Sequence, residues 1–396
     1  MAASILRPAV VLLALALLWR VIHVNAVLYD DTGRPKLPTP PQPGVSDALP
    51  ERDTLVELLR ENPANAAAYL MLAAEYERAG DTDGAARAYA SAYKVAPIDR
   101  DVLAAAAAFF LRRGQNTQAL VLLENAVEHY DDMRESAFPV MAQSLASGRE
   151  ESEWKAVIER GPTWLGAFVT TSCQRGLDPA VLLPIFLSRV AVGKASPQET
   201  ACLVDHLRIA GRWDEAYQVW LDTLPRERLA DVGFIFNGGF EFQPSGVGFD
   251  WIPDRALERD SGHVVEFART NAAAGARALR VSYNGKRQTG IPIAQYLVLA
   301  PGRYEVSGMA RPESVRAGHG AHWTLRCMIG GKAGAPVANS ERFLGTSEWE
   351  PFSFDATIPD GCPGQLLQLE AAGAGEGPVF LSGTVWFDNL AIRQYH

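Results

Sequence analysis

Near Gly233 the spacing of apolar residues changes its period, and that change constrains the fold more than any other feature of the chain. Upstream, apolar side chains recur at i, i+3, i+4 and i+7, as on one face of a helix; downstream they alternate, as on one face of a strand. The expectation is a multidomain α + β protein, and 396 residues leave room for two or three domains. Apolar residues at 48% and charged residues at 21% exclude a fully disordered chain. A formal charge of −9 with no basic face speaks against nucleic acid as a partner. Four cysteines are too few for a disulfide-rich scaffold.

Residues 1–29 read as an export segment. Pro8 to Trp19 is free of charge, flanked by Arg7 and Arg20. Twelve helical residues rise about 18 Å, short of a ~30 Å hydrocarbon core, which suits the apolar region of a signal peptide. Val24-Asn25-Ala26 offers small residues for cleavage. The alternative is an uncleaved anchor from about Ile5 to Leu28 with Arg20 snorkelling, and the reading leans that way. Both place the rest of the chain across the membrane: single-pass in a cell inner membrane with periplasmic domains, or secreted to the periplasm. Residues 30–49 are proline-rich and predict an extended, solvated linker.

The helical part, residues 50–228, carries an internal period. Pro63 and Pro97 lie 34 residues apart. Tyr69, Leu72, Ala73 and Tyr76 form one helical stripe, Gly80 breaks it, and Ala85, Tyr89 and Ala92 form a second. Leu103, Ala106, Ala107, Phe110, Gly114, Ala119, Leu123 and Ala126 repeat the pattern 34 residues on. These two units resemble tetratricopeptide repeats, with Ala73 and Ala85 at the close-packing positions of paired helices. A looser third unit runs through Leu203, Val204, Leu207, Gly211, Ala216 and Trp220. Its start is marked by Ser196 as N-cap, Pro197 in the first turn and Glu199 closing a capping box. Asp178-Pro179 opens another helix in the same way. Residues 132–194 read as irregular helix pairs continuing the array. The resemblance implies a groove for a protein partner.

From 231 to 396 the chain predicts an all-β sandwich. Alternating runs begin at His263, Arg277, Ile291, Gly302, His322, Trp349, Gly364 and Thr384, with turn signals between them. Asn237-Gly-Gly-Phe-Glu241 followed by Trp251, Gln295 to Tyr304, and Val385 to Ile392 resemble the opening, middle and closing strand of carbohydrate-binding jelly rolls of the galactose-binding-like superfamily. That resemblance implies a glycan as possible ligand. It also implies a structural calcium at Glu241 and Asp388, which would need backbone carbonyls to complete its shell. Tyr283, Trp323 and Trp349 are the candidates for stacking on sugar rings, whereas Trp251 and Trp386 read as core.

Catalytic signatures are missing: the sequence has no phosphate-cradling Gly-rich loop and no Gly-x-Ser-x-Gly elbow. Gly373 to Gly377 reads as a hairpin loop. His319 and His322 make an isolated His-x-x-His without nearby further ligands. Cys202 and His206 share a helix face, a spacing that suits packing more than a nucleophile and its base; Cys173 reads as core, and Cys327 and Cys362 could bond in an oxidising compartment. The expected function is a non-enzymatic envelope scaffold in bacterial exopolysaccharide or capsule assembly or export. Its helical array would bind a protein and its sandwich a glycan. The alternatives are a protein–protein adaptor that binds no sugar and a glycan-active enzyme.

Overall fold

The structure is a computed structural model and describes residues 50–254, 262–288, 290–316, 320–371 and 380–395. The export segment, the linker, His319 and Gly373 to Gly377 lie outside the described residues. No helix among the described residues is long and apolar enough to cross a membrane. Contacts divide the chain into two compact units, one ending at Trp154 and one starting at Lys155.

The first unit is built of helix pairs: α1 (Arg52–Glu61), α2 (Ala66–Arg78), α3 (Thr82–Val95), α4 (Arg100–Arg112), α5 (Asn116–His129) and α6 (Arg134–Ser147), running into α7 (Glu151–Arg160). The expected period is visible in the backbone. Helices α2 and α4 start at 66 and 100, and α3 and α5 at 82 and 116, each 34 residues apart. Asn65 and Asp99 cap α2 and α4 through their side chains, accepting from Ala68 and Val102 N–H. Gly80 and Gly114 take φ of +76° and +69°, which lets Asp81 and Gln115 N–H reach back to the carbonyls of Tyr76 and Phe110 and close each helix. Ala73 and Ala85 are fully buried, as expected of residues between closely packed helices. Glu77 ties the two pairs together by accepting from Tyr89 at 2.6 Å and Arg112 at 2.7 Å. The helices thus form a repeating array.

The second unit joins four helices to the sandwich: α8 (Leu165–Gln174), α9 (Pro179–Ala191), α10 (Pro197–Ile209) and α11 (Trp213–Asp222). Ser196 and Glu199 form the expected capping box, and Asp178 caps α9. Glu199, almost fully buried, also receives Arg189 at 2.7 Å. A disulfide joins Cys173 on α8 to Cys202 on α10. The unit boundary therefore differs from the change of hydrophobic period, because α11 belongs with the strands: Trp213 and Trp220 both pack against Phe249, and Trp220 against Phe236.

Among the described residues the sandwich has two five-stranded antiparallel sheets, ordered β1-β4-β9-β6-β7 and β2-β3-β10-β5-β8. Their strands are β1 (Ile252–Pro253), β2 (His263–Arg269), β3 (Arg277–Arg287), β4 (Ile293–Leu297), β5 (Gly302–Arg316), β6 (Ala321–Ile329), β7 (Lys332–Asn339), β8 (Glu350–Ile358), β9 (Gly364–Ala371) and β10 (Phe380–Gln394). Eight match the alternating runs of the sequence. Strands β1 and β7 do not: β1 has two residues, and β7 is an edge strand whose Pro336 and small residues hide its period. Between the sheets lies an aromatic core in which Trp251, Trp323, Phe387, Phe343 and Phe352 touch in sequence, with ring centres 5.0–5.7 Å apart. Cys327 and Cys362 form a second disulfide at one end of this core.

Candidate functional sites on the sandwich

The opening motif serves the backbone. Asn237 takes a positive φ of 52°, its carbonyl accepts from Trp251 Nε1 at 3.1 Å, and its side-chain amide pairs with both backbone groups of Phe242. A Cβ on Gly238 would fall 2.0 Å from the Leu390 carbonyl oxygen, so only glycine permits this turn to bond to β10. Leu390 N–H donates to Gly238 O at 2.9 Å.

Glu241 lies close enough to Asp388 for its charge to push the Asp388 carboxyl up. Their surroundings differ from a cation cage. Glu241 Oε1 accepts from the backbone N–H of Ala276 and Arg277, and Asp388 accepts from Ala274 and Asn389. Burial, opposed by these amides and assisted by Glu241, pushes the Asp388 carboxyl up. The groups set against the carboxylates are N–H donors, where calcium would need carbonyl oxygens. As placed, the pair does not fit a calcium ion; it staples the turn between β2 and β3 to β10.

The three stacking candidates separate. Trp323 has no exposed surface and packs between Trp251 and Phe387, so it cannot meet a sugar. Tyr283 is also core, and burial pushes its hydroxyl up. Trp349 alone is partly exposed, with Nε1 donating to the Asn271 carbonyl at 3.0 Å and the Arg311 guanidinium 5.1 Å from its ring centre. Trp386, expected in the core, points outward instead, because its neighbours Val385 and Phe387 take the inner positions. Cys202 is bonded to Cys173, which removes it as a nucleophile.

Alternation exposes a feature that the sequence reading passed over. Trp323 and Leu325 face the core on β6, as Leu367 and Leu369 do on β9. His322, Thr324 and Arg326 therefore share the outer face with Leu366, Gln368 and Glu370. Thr324 stands opposite Gln368, and His322 opposite Glu370. Helices α10 and α11 cover one end of this face: Arg208 lies 3.6 Å from the ring centre of Tyr296, and Trp213 rests on Gly364 where a Cβ would come within 2.2 Å of its ring. The other end is polar. Thr324 Oγ1, Gln368 Oε1 and His322 Nδ1 are buried without a hydrogen-bond partner. Arg326 donates to Glu370 at 2.9 and 3.2 Å, and Gln368 Nε2 donates to the same carboxylate. Burial raises the Glu370 carboxyl, but those bonds and the Arg326 charge outweigh it and hold the group below its ordinary range. Burial pulls the His322 imidazole down, with Arg342 and Arg326 acting in the same sense and Glu370 opposing. Half-buried His322, Arg326 and Glu370 thus form a short polar strip, with Thr324 and Gln368 buried between them in the register.

No protein-family model and no curated protein sequence matches the chain. Solved carbohydrate-binding modules resemble its β-sheet region. A CBM4 module is 16% identical, spanning 41% of this chain and 99% of its own, at a TM-score of 0.32. The CBM22-1 xylan-binding domain from Paenibacillus barcinonensis Xyn10C is 16% identical over 40% of this chain and 91% of its own, at 0.27. TmCBM61, solved with β-1,4-galactotriose, is 17% identical over 41% and 99%, also at 0.27. Likeness at this level decides neither ligand nor site, and the two-sheet fold rests on the strand pairing itself.

Proposed function

We infer that the chain is a non-catalytic glycan-binding protein whose sandwich takes a neutral saccharide on the outer face of the β1-β4-β9-β6-β7 sheet. One observation carries this reading: His322, Arg326 and Glu370, half-buried at outward positions of β6 and β9, form a polar strip in which His322 Nδ1 holds no partner. An unpaired buried polar atom costs about 1–3 kcal/mol. Sugar hydroxyls, which donate and accept, can pair with the Arg326–Glu370 ion pair and supply the partner that His322 Nδ1 lacks. The helix pairs upstream suit a protein partner, and the whole is read as an envelope scaffold in exopolysaccharide or capsule assembly or export. Two disulfides among the described residues support placing the second unit in an oxidising compartment, in keeping with the export segment read at residues 1–29.

Affinity electrophoresis of the full chain through gels containing neutral xylan or β-1,4-galactan tests the site. The chain should be retarded, and His322→Ala should weaken the retardation without lowering the melting temperature. Retardation that survives the change undiminished would remove the glycan from this face.

A further inference from the structure

The outer face of the other sheet carries a row of side chains that runs straight across its strands. Glu266 stands opposite Arg280, Arg280 opposite Trp386, and Trp386 opposite Arg311. Trp349, just before β8, continues the row beside Arg311. Five strands at about 4.8 Å spacing make the row roughly 19 Å long. Rings and guanidinium groups alternate along it: Arg280 lies 5.6 Å and Arg311 5.0 Å from the Trp386 ring centre.

The row has more donors than acceptors. Arg280 gives Nη1 to Glu266 at 2.8 Å, and Arg311 pairs with Glu313, Nη2 lying 3.1 Å from its carboxylate. Arg280 Nε, Arg311 Nε and Trp386 Nε1 are buried and have no acceptor. These three N–H groups sit on neighbouring strands in one register, with Arg280 and Arg311 on the two strands that flank Trp386. Beside them Ser282 and Thr384 share a hydrogen bond at 3.1 Å, and Glu313 faces Thr384, which gives the next row hydroxyls and a carboxylate.

We propose that this face is a second binding site, specific for an acidic polysaccharide whose sugar units carry carboxylates. Ligand carboxylates take the free donors along the row. The indole rings of Trp386 and Trp349 give apolar contact to the C–H groups of flanking sugars. Glu266, Glu313 and the two hydroxyls accept from or donate to sugar hydroxyls. The row is long enough for several sugar units. A densely charged polyanion such as nucleic acid fits poorly, because each arginine is already half-neutralised by a carboxylate that would repel it. The site stands apart from the polar strip on the first sheet and shares no residue with it.

The experiment is calorimetric titration of the full chain at low salt with tetragalacturonate, with the uncharged β-1,4-galactotetraose and polyglutamate of equal charge as comparisons. Tetragalacturonate should bind saturably and both comparisons much more weakly. Losing a hydrogen bond to a charged group should weaken binding by about tenfold or more in Arg311→Gln and in Trp386→Phe. Arg311→Lys keeps the charge but removes Nε, so it should lose affinity too, and it replaces Arg311→Gln if that variant does not fold. Arg393→Gln, on the same sheet outside the row, should bind as the parent does. The proposal is overturned if tetragalacturonate does not bind, if the uncharged tetramer binds equally well, or if Arg311→Lys and Trp386→Phe bind unchanged. Equal binding of polyglutamate would also overturn it and assign the row to an acidic peptide. Failure here leaves the neutral-glycan reading intact, since that concerns a different sheet and an uncharged ligand.

Discussion

Glu370 shows how one residue's surroundings decide its chemistry. Burial raises its carboxyl, yet the paired bonds from Arg326, the bond from Gln368 and the Arg326 charge together win, and the group ends below its usual value. A carboxyl lowered on folding contributes stability that is present above the unfolded value of about 4.3 and is lost as pH falls through the lower folded value. Asp250 and Asp388 are shifted upward, mainly by burial, so their contributions have the opposite sign and favour folding as pH falls. Comparing variants separates the two. Urea unfolding at neutral pH and in the acid range should show a larger loss of stability on acidification for the parent than for Glu370→Gln, and equal losses would contradict the Arg326–Glu370 account.

Glu241 and Asp388 give a second test at this scale. Since amides already compensate them, a chelator should leave the thermal midpoint of the full chain unchanged, while Asp388→Ala should lower it. A chelator-induced drop would restore calcium. Residue roles were only partly legible in the sequence. Trp323 reads as an open ring at a strand start, but alternation with Leu325 and Cys327 fixes it inside. The same alternation, followed one residue further, points Thr324 outward. That Thr324 lacks a partner depends on Gln368, 44 residues away, and no local pattern carries it.

Elements were legible where local chemistry sets them. The 34-residue spacing, the asparagine and aspartate caps, the Gly80 and Gly114 turns and the Ser196–Glu199 box all lie within a few residues of what they control, and the structure contains them. β7 escaped because an edge strand of small residues leaves no apolar stripe. At this scale the small residues of the helix pairs matter most. Ala73 has no exposed surface and α3 packs against α2, so Ala73→Leu overpacks the contact and should cost about 1–3 kcal/mol. Denaturant unfolding of the full chain, followed by circular dichroism, should show the helical transition shifted to lower denaturant. An unmoved helical transition would mean that the two helices can separate to make room.

At the scale of the whole molecule, the sequence indicates where helices give way to strands but not which helices the strands hold. That depends on contacts far apart in the chain, such as Trp213 over Gly364 and Arg208 over Tyr296. Those contacts also define the site, because α10 and α11 close one end of the outer face and leave the polar strip at the other. The jelly-roll resemblance carried the fold and the general expectation of a saccharide; the choice of face came only with strand register. Isothermal titration of the full chain with neutral hexasaccharides tests the central claim most directly. The account predicts saturable binding with a Kd of about 10⁻³ to 10⁻⁵ M, or roughly 4–7 kcal/mol, weakened in His322→Ala. A chain that gives no heat with any neutral hexasaccharide at millimolar concentration would contradict it and leave the sandwich as a protein-binding module.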